Sequence, residues 1–216
     1  MKKLKEIYQK LMILHGPQGW WPVKGSYHKR NFNYPRNNDE CFEICVGAIL
    51  TQNTAWTNVE MAIENLRRAK LLNANKIMQS KDELIQTAIR PSGYFNQKTK
   101  KLKVFSIFYK TLKGRKPTRN ELLDLWGIGP ETADSILLYA YGEPTFVIDA
   151  YTKRIFSHLK IIDESWTYDE IKELFESYVP QDKNVYQEYH ALIVEHAKKY
   201  YSKKPYGTDC PLIKKK

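Results

Sequence analysis

Hydrophobic positions along this chain recur at helical spacing, and alternation at every second residue is nearly absent. Residues 2–14 place Leu4, Ile7, Leu11 and Leu14 three and four apart, an apolar stripe on a helix ended by Gly16-Pro17. The same periodicity predicts helices at about 40–53, 56–70, 97–113, 130–141, 150–159 and 182–201. Ser80 with Glu83, Thr118 with Glu121 and Thr167 with Glu170 have capping-box spacing, each before an apolar-periodic segment. Breaks fall at Pro91-Ser92-Gly93, Gly127 and Pro180, and the polar segment Gly25–Asn38 predicts a long loop. The expected fold class is all-α, without internal repeat or low-complexity tract.

Composition sets limits on this picture. With 216 residues and 42% hydrophobic content, the chain can bury a core in one or two small domains. The 35 basic against 24 acidic side chains leave a formal charge of +11, which favours a polyanionic partner. Basic residues concentrate in Gln97–Arg119 and from Lys198 to Lys216. Any single lysine there reads as a solvated helix position, but the overall excess is poorly explained that way. Three cysteines, Cys41, Cys45 and Cys210, are too few and scattered for a secreted disulfide framework. A reducing, cytoplasmic setting is expected. Lys2-Lys3 is followed by an apolar run, Leu11–Leu14, too short to serve as an export signal, and no membrane-spanning stretch is found.

The densest chemistry lies at Leu125-Trp126-Gly127-Ile128-Gly129-Pro130-Glu131-Thr132-Ala133. Two glycines set two apart between apolar helical stretches make a hairpin whose backbone can approach a phosphate closely. The N–H groups opening the second helix then face the anion. Alone, the pattern also fits an ordinary helix-turn-helix connection. From Leu122 to Asp149, however, LLDLWGIGPETADSILLYAYGEPTFVID resembles the helix-hairpin-helix plus aspartate signature of the endonuclease III superfamily of DNA glycosylases. The order of parts carries the resemblance: hairpin, apolar helix, Gly142, a link containing Pro144, the triplet Phe146-Val147-Ile148, then Asp149.

The resemblance implies two helical subdomains. One is a central helical barrel at about 39–145 carrying the hairpin at about 122–141; the other joins 1–38 to 146–216, with Asp149 in a cleft between them. It also implies a monomer acting on double-stranded DNA that contains damaged bases, and hence association with the nucleoid. Asp149 precedes Ala150-Tyr151-Thr152-Lys153 and so also reads as a helix N-cap. The readings are compatible, because a helix start favours a negative charge. An anion near the oxocarbenium-like sugar left by base excision stabilises it while aligning or deprotonating water. Superfamily members with lyase activity carry a lysine where this chain has Glu131, so the Schiff-base nucleophile is missing and a monofunctional enzyme is expected.

Gly19-Trp20-Trp21-Pro22 and Leu50-Thr51-Gln52-Asn53-Thr54-Ala55-Trp56 look like the 3-methyladenine-specific branch, whose members sandwich a flipped base between aromatics at these places. Arg90–Lys98 and Glu131 resemble that branch as well. A methylated purine carries positive charge and gains cation–π attraction between indoles. Any one tryptophan by itself reads first as a core residue. Two adjacent indoles after a glycine fit a single core less easily. The resemblance thus implies a base pocket of Trp20, Trp21, Pro22, Trp56, Glu131 and Lys198. It implies DNA contacts at Gly127, Ile128, Gly129 and Thr132, with Gln52 filling the gap left by the base and Tyr94 as a second wedge.

Relatives often hold an iron–sulfur cluster on four cysteines near the C-terminus, whereas His196–Leu212 keeps only Cys210. One thiolate cannot hold such a cluster. The five histidines, His15, His28, His158, His190 and His196, show no i, i+4 ligand pair, so neither cofactor nor structural metal is expected. The expected reaction is hydrolysis of the N-glycosidic bond of an alkylated purine, 3-methyladenine foremost. The alternatives are a glycosylase for a deaminated or mismatched pyrimidine and a non-catalytic helix-hairpin-helix protein. An adenine-mismatch enzyme is disfavoured because it requires an acid a few residues before T-Q-N-T, where Ala48 stands.

Overall fold

The computed structural model describes residues 2–213, and among them the regular structure is helical, with one isolated bridge between Val23 and Ser26. The chain forms two compact units. One comprises Met1–Trp20, Tyr27–Phe32 and Glu143–Lys216; the other comprises Trp21–Ser26 and Asn33–Gly142. Among the described residues no helix is long and apolar enough to cross a membrane.

The central unit is built around α2 (Asn38–Leu50), every residue of which from Glu40 onward is buried. A helix buried on all sides must be enclosed by others. Here α3 (Trp56–Arg68), α6 (Phe95–Leu112) and α8 (Pro130–Ser135) with its π-helical extension Ile136–Ala140 pack against it. The short helices α4 (Ala74–Gln79), α5 (Asp82–Ile89) and α7 (Arg119–Leu123) complete the unit. Thr118 starts α7 with a full capping box, while Ser80 does not start α5. Ser80 instead ends α4, and the residue before α5 is Lys81, whose side chain makes no capping bond.

Trp21–Ser26 and 33–38, expected with the terminal segments, belong to the central unit because two buried carboxylates of α2 hold them. Glu43 accepts from the Lys24 backbone N–H at 2.7 Å, and Glu40 accepts from that of Arg36 at 2.8 Å. The Lys24 and Arg36 cations add ion pairs to Glu40 at 3.2 and 3.3 Å, and these bonds outweigh burial in keeping its carboxyl below the usual range.

In the terminal unit, α1 (Lys2–His15) packs on α10 (Tyr168–Tyr178) and α11 (Lys183–Tyr200), and α11 packs on α9 (Ala150–His158). Leu4, Ile7 and Leu11 are buried as their spacing requires, but Leu14 is exposed, so the stripe ends one turn early. Its place at the helix end is taken by His15, whose Nε2 lies 3.0 Å from Nδ1 of His196. Thr167 starts α10 with a capping box. The core is aromatic: Phe146 stacks on Phe175 at 4.3 Å between ring centres and meets Tyr186 and Tyr189 edge-on. Such contacts contribute beyond the area they bury.

One polar residue sits where a hydrophobic one would be expected. Lys98 on α6 is 2% exposed, and its ammonium donates to the carbonyls of Leu50 at 2.8 Å and Ser92 at 2.6 Å. It thereby joins the end of α2 to the 3₁₀ turn Arg90–Ser92. Burial, with the neighbouring Lys101 charge, lowers its pKa to about 8. Lys98→Met should lower stability by about 1–3 kcal/mol, since both carbonyls lose a charged donor. Because the folded protein releases this proton near pH 8 and the unfolded chain near 10.5, the strain of the buried charge is full below pH 8 and relieved between those values. The stability gap between wild type and K98M, read from denaturant midpoints, should therefore widen across that window.

Candidate active site

Asp149 is the N-cap of α9, and what precedes it explains its placement. Phe146, Val147 and Ile148 are all buried. The Phe146 N–H is bonded to Glu176 at 2.8 Å, and that of Ile148 approaches the Tyr168 hydroxyl at 3.4 Å. An extended link inside a core must satisfy its backbone this way. Oδ1 of Asp149 accepts from the Thr152 N–H at 2.6 Å and the Thr152 hydroxyl at 2.7 Å. Oδ2 takes no part in the cap, and Nε2 of His190 on α11 lies 3.8 Å from it. Both side chains are 12% exposed.

The hairpin is held by charge from behind. Arg119 at the start of α7 donates Nε at 2.9 Å and Nη2 at 3.3 Å to the two oxygens of the fully buried Asp134 on α8. This two-pronged bond clamps the helices that flank the turn. Gly127 has φ +84°, and a Cβ there would stand 2.6 Å from the Lys101 side chain. Gly129, the N-cap of α8, has φ −98° and open space where its Cβ would be. The two glycines thus serve different ends: the first is required by the fold, whereas nothing inside the unit requires the second.

Side chains of the hairpin point inward more than expected. Ile128 is buried, and so is Thr132, whose hydroxyl accepts from Nε2 of Gln52 at 2.9 Å. Gln52 also donates to the Gly127 carbonyl at 3.0 Å and accepts from the Lys101 ammonium. Gln52, expected to fill the gap left by the base, is fastened to the hairpin, because α2 ends at Leu50, three residues earlier than expected, and turns Gln52 toward it. The exposed tip of this turn is Asn53, with φ +55°. Tyr94, the second expected wedge, is 68% exposed and left-handed at φ 46°.

The adjacent indoles part company. Trp21 is buried in the central unit: its ring lies over Gly47 of α2, where a Cβ would stand 2.9 Å from Nε1. It meets Trp56 at 5.2 Å with the rings perpendicular, and Tyr139 at 5.1 Å. Perpendicular rings in contact leave no parallel slot, so Trp21 and Trp56 do not form the expected sandwich. Pro22 is buried beside Trp21, Trp56 is half-buried, and Glu131 is exposed in the first turn of α8. Trp20 belongs to the terminal unit, half-buried, with Tyr27 edge-on at 5.8 Å and the Lys198 ammonium 5.7 Å from its ring centre. That pair is a cation–π contact.

Cys210 is buried, and its sulfur lies 3.2 Å from Nε2 of His196 and receives the Tyr201 hydroxyl at 3.3 Å. Cys41 and Cys45 lie on α2 in the other unit. This donor set does not fit a four-thiolate iron–sulfur cluster. Burial and the neighbouring His15 and Lys199 push His196 down to about 4, so the ring between His15 and Cys210 is neutral at physiological pH.

Sequence reasoning missed Lys98, Lys101 and His190. The two lysines lie in a stretch whose charge suggested a solvated face. His190 has no histidine partner at i, i+4 spacing, so periodicity alone does not single it out.

Comparisons with known proteins agree with this architecture. The family profile described as "HhH-GPD superfamily base excision DNA repair protein" matches residues 46–181. A Methanocaldococcus jannaschii protein, a candidate DNA repair glycosylase, is 45% identical over 218 residues, covering 96% of this chain and 92% of its own. The crystal structure of H. pylori 3-methyladenine DNA glycosylase bound to 1,N6-ethenoadenine aligns with a TM-score of 0.71 at 30% identity, over 91% of this chain and 97% of that one. An endonuclease III–DNA complex shares the fold, with a TM-score of 0.78 at 17% identity over 98% of this chain and 92% of that one. With the hairpin and the capped aspartate in place, the chain belongs to the HhH-GPD superfamily of base excision DNA repair proteins and is a DNA glycosylase of the endonuclease III type.

Proposed function

We propose that this protein is a monofunctional glycosylase that hydrolyses the N-glycosidic bond of alkylated purines in double-stranded DNA, 3-methyladenine foremost. The observation that carries the reaction is the division of labour at Asp149: one oxygen is committed to the helix cap, while the other takes no part in it and serves the developing sugar cation and the attacking water. Glu131 stands where lyase-active members carry a lysine, so strand cleavage through a Schiff base is not part of the reaction. The likeness to the H. pylori 3-methyladenine enzyme supports the substrate class, as does the half-buried Trp56. A cationic base gains most from an indole face and leaves most readily. No iron–sulfur cluster takes part, in keeping with the cysteine set.

Asp149→Asn should lower single-turnover excision of 3-methyladenine by roughly 10²–10⁴-fold. Asparagine caps a helix as well as aspartate, so fold and duplex affinity should persist. Unchanged turnover would remove Asp149 from the chemistry. Borohydride should trap no protein–DNA adduct, and trapping above background would show that another amine forms an imine.

The two glycines should separate fold from binding. Gly127→Ala should destabilise the protein by about 1–2 kcal/mol because of its left-handed backbone. Gly129→Val should leave the melting temperature near wild type yet weaken binding to damaged and undamaged duplexes alike, since phosphate contacts are indifferent to sequence. Intact binding by G129V would argue against phosphate approach at that residue.

The tryptophans should separate as well. Trp21→Ala should lower the melting temperature, as loss of a buried aromatic does. Trp56→Ala should reduce kcat/KM on 3-methyladenine by about 1–3 kcal/mol in transition-state stabilisation. Wild-type removal of uracil or mismatched thymine faster than of 3-methyladenine, on a panel of single-lesion duplexes, would assign the enzyme to deaminated or mismatched pyrimidines instead.

A further inference from the structure

We infer that His190 is a positioning residue for Asp149, whose neutral imidazole keeps the second carboxylate oxygen oriented and fully charged, and whose protonation withdraws that charge from the reaction. The inference rests on the role proposed for Asp149. It follows from three observations within the terminal unit. Oδ1 of Asp149 is held by both the N–H and the hydroxyl of Thr152, which fixes the plane of the carboxylate and leaves Oδ2 outside the cap. The ring of His190, carried by α11 and almost out of solvent, sets Nε2 at 3.8 Å from that oxygen. The elements that carry the two residues are packed together, α9 on α11, so the distance is set by the core rather than by mobile side chains.

At this separation a modest approach makes a hydrogen bond, and a proton on the ring makes an ion pair. The two states differ in what they leave for the sugar. A neutral imidazole orients Oδ2 and leaves the carboxylate its full negative charge. An imidazolium neutralises it from behind and weakens stabilisation of an oxocarbenium-like centre. Burial lowers the His190 pKa while Asp149 raises it, with a net fall below the ordinary 6.5, so the neutral state prevails at physiological pH. The other elements packed on α11 bring different groups to bear: α1 sets His15 against His196, and Tyr8 against Tyr189 at 5.1 Å.

The test is the pH dependence of single-turnover excision on a 3-methyladenine duplex between about pH 5 and 8, with spontaneous depurination subtracted. The wild-type rate should fall as the pH is lowered, with a midpoint below that of an ordinary histidine and a slope approaching about tenfold per pH unit, that of a single proton. His190→Gln, which keeps an amide donor but does not titrate, should be roughly threefold to tenfold slower near neutrality and should lose that acid limb. An H190Q profile lower by a constant factor, with the acid limb intact, would reduce His190 to a space-filling residue and overturn the inference.

A second measurement uses proteins whose fold is not in question. NMR titration of the His190 ring in wild type should give the same midpoint as the kinetic limb, and the midpoint should fall in Asp149→Asn, where the attracting charge is gone. A midpoint that differs from the kinetic one, or is unmoved by D149N, would overturn the inference equally. Failure here is distinguishable from failure of the Asp149 assignment. If D149N excises normally, the assignment falls; if D149N is inactive while H190Q keeps the acid limb, only the role of His190 falls.

Discussion

The structure of the terminal unit turns on how the short link from Thr145 to Asp149 is held. Four of its side chains, Thr145, Phe146, Val147 and Ile148, are buried, and an extended backbone in such a place needs partners for its N–H groups. Glu176 and Tyr168 of α10 supply them. Phe146 in turn is stacked against Phe175 and flanked by Tyr186 and Tyr189. Asp149 therefore cannot shift without pulling an aromatic ring out of the core. Its cap on α9 then fixes the carboxylate plane, so one residue both starts a helix and presents an oxygen at a defined place.

The central unit achieves a similar rigidity with charge inside the protein. Lys98 joins the end of α2 to the turn that leads into Tyr94, and Arg119 with Asp134 braces the hairpin. Lys101 and Gln52 tie the α2–α3 turn to the same hairpin. Buried ionic groups are weak sources of stability, because desolvation offsets their attraction. Their effect here is to hold loops that have little hydrophobic surface of their own. The residues presented to solvent by those loops, Asn53 and Tyr94, both have left-handed backbone, which an unbraced chain would seldom keep.

The division of Trp20 from Trp21 shows how one residue step can separate two roles. Trp21 fits over Gly47 of α2, the one position on that helix where the absence of a Cβ admits an indole so closely. Trp20 stays half-buried in the terminal unit with Tyr27 and Lys198. An ammonium resting on the Trp20 ring means that any cationic ligand stacking there would have to contend with a like charge.

What the amino-acid sequence by itself determined is whatever is settled within a few residues. The capping boxes at Thr118 and Thr167, the stripe of Leu4, Ile7 and Leu11, the helix break at Gly127 and the cap at Asp149 all depend on near neighbours, and all are legible in the sequence. Ser80 was misread because the same spacing also suits the end of a preceding helix, and only the length of α4 chose between them. The tertiary structure decided the rest: the burial of Lys98, the fastening of Gln52, the turning of Trp21 into the core and the placing of His190 beside Asp149. Each joins residues that lie far apart along the chain, and the burial that gives each contact its strength exists only once the helices have packed.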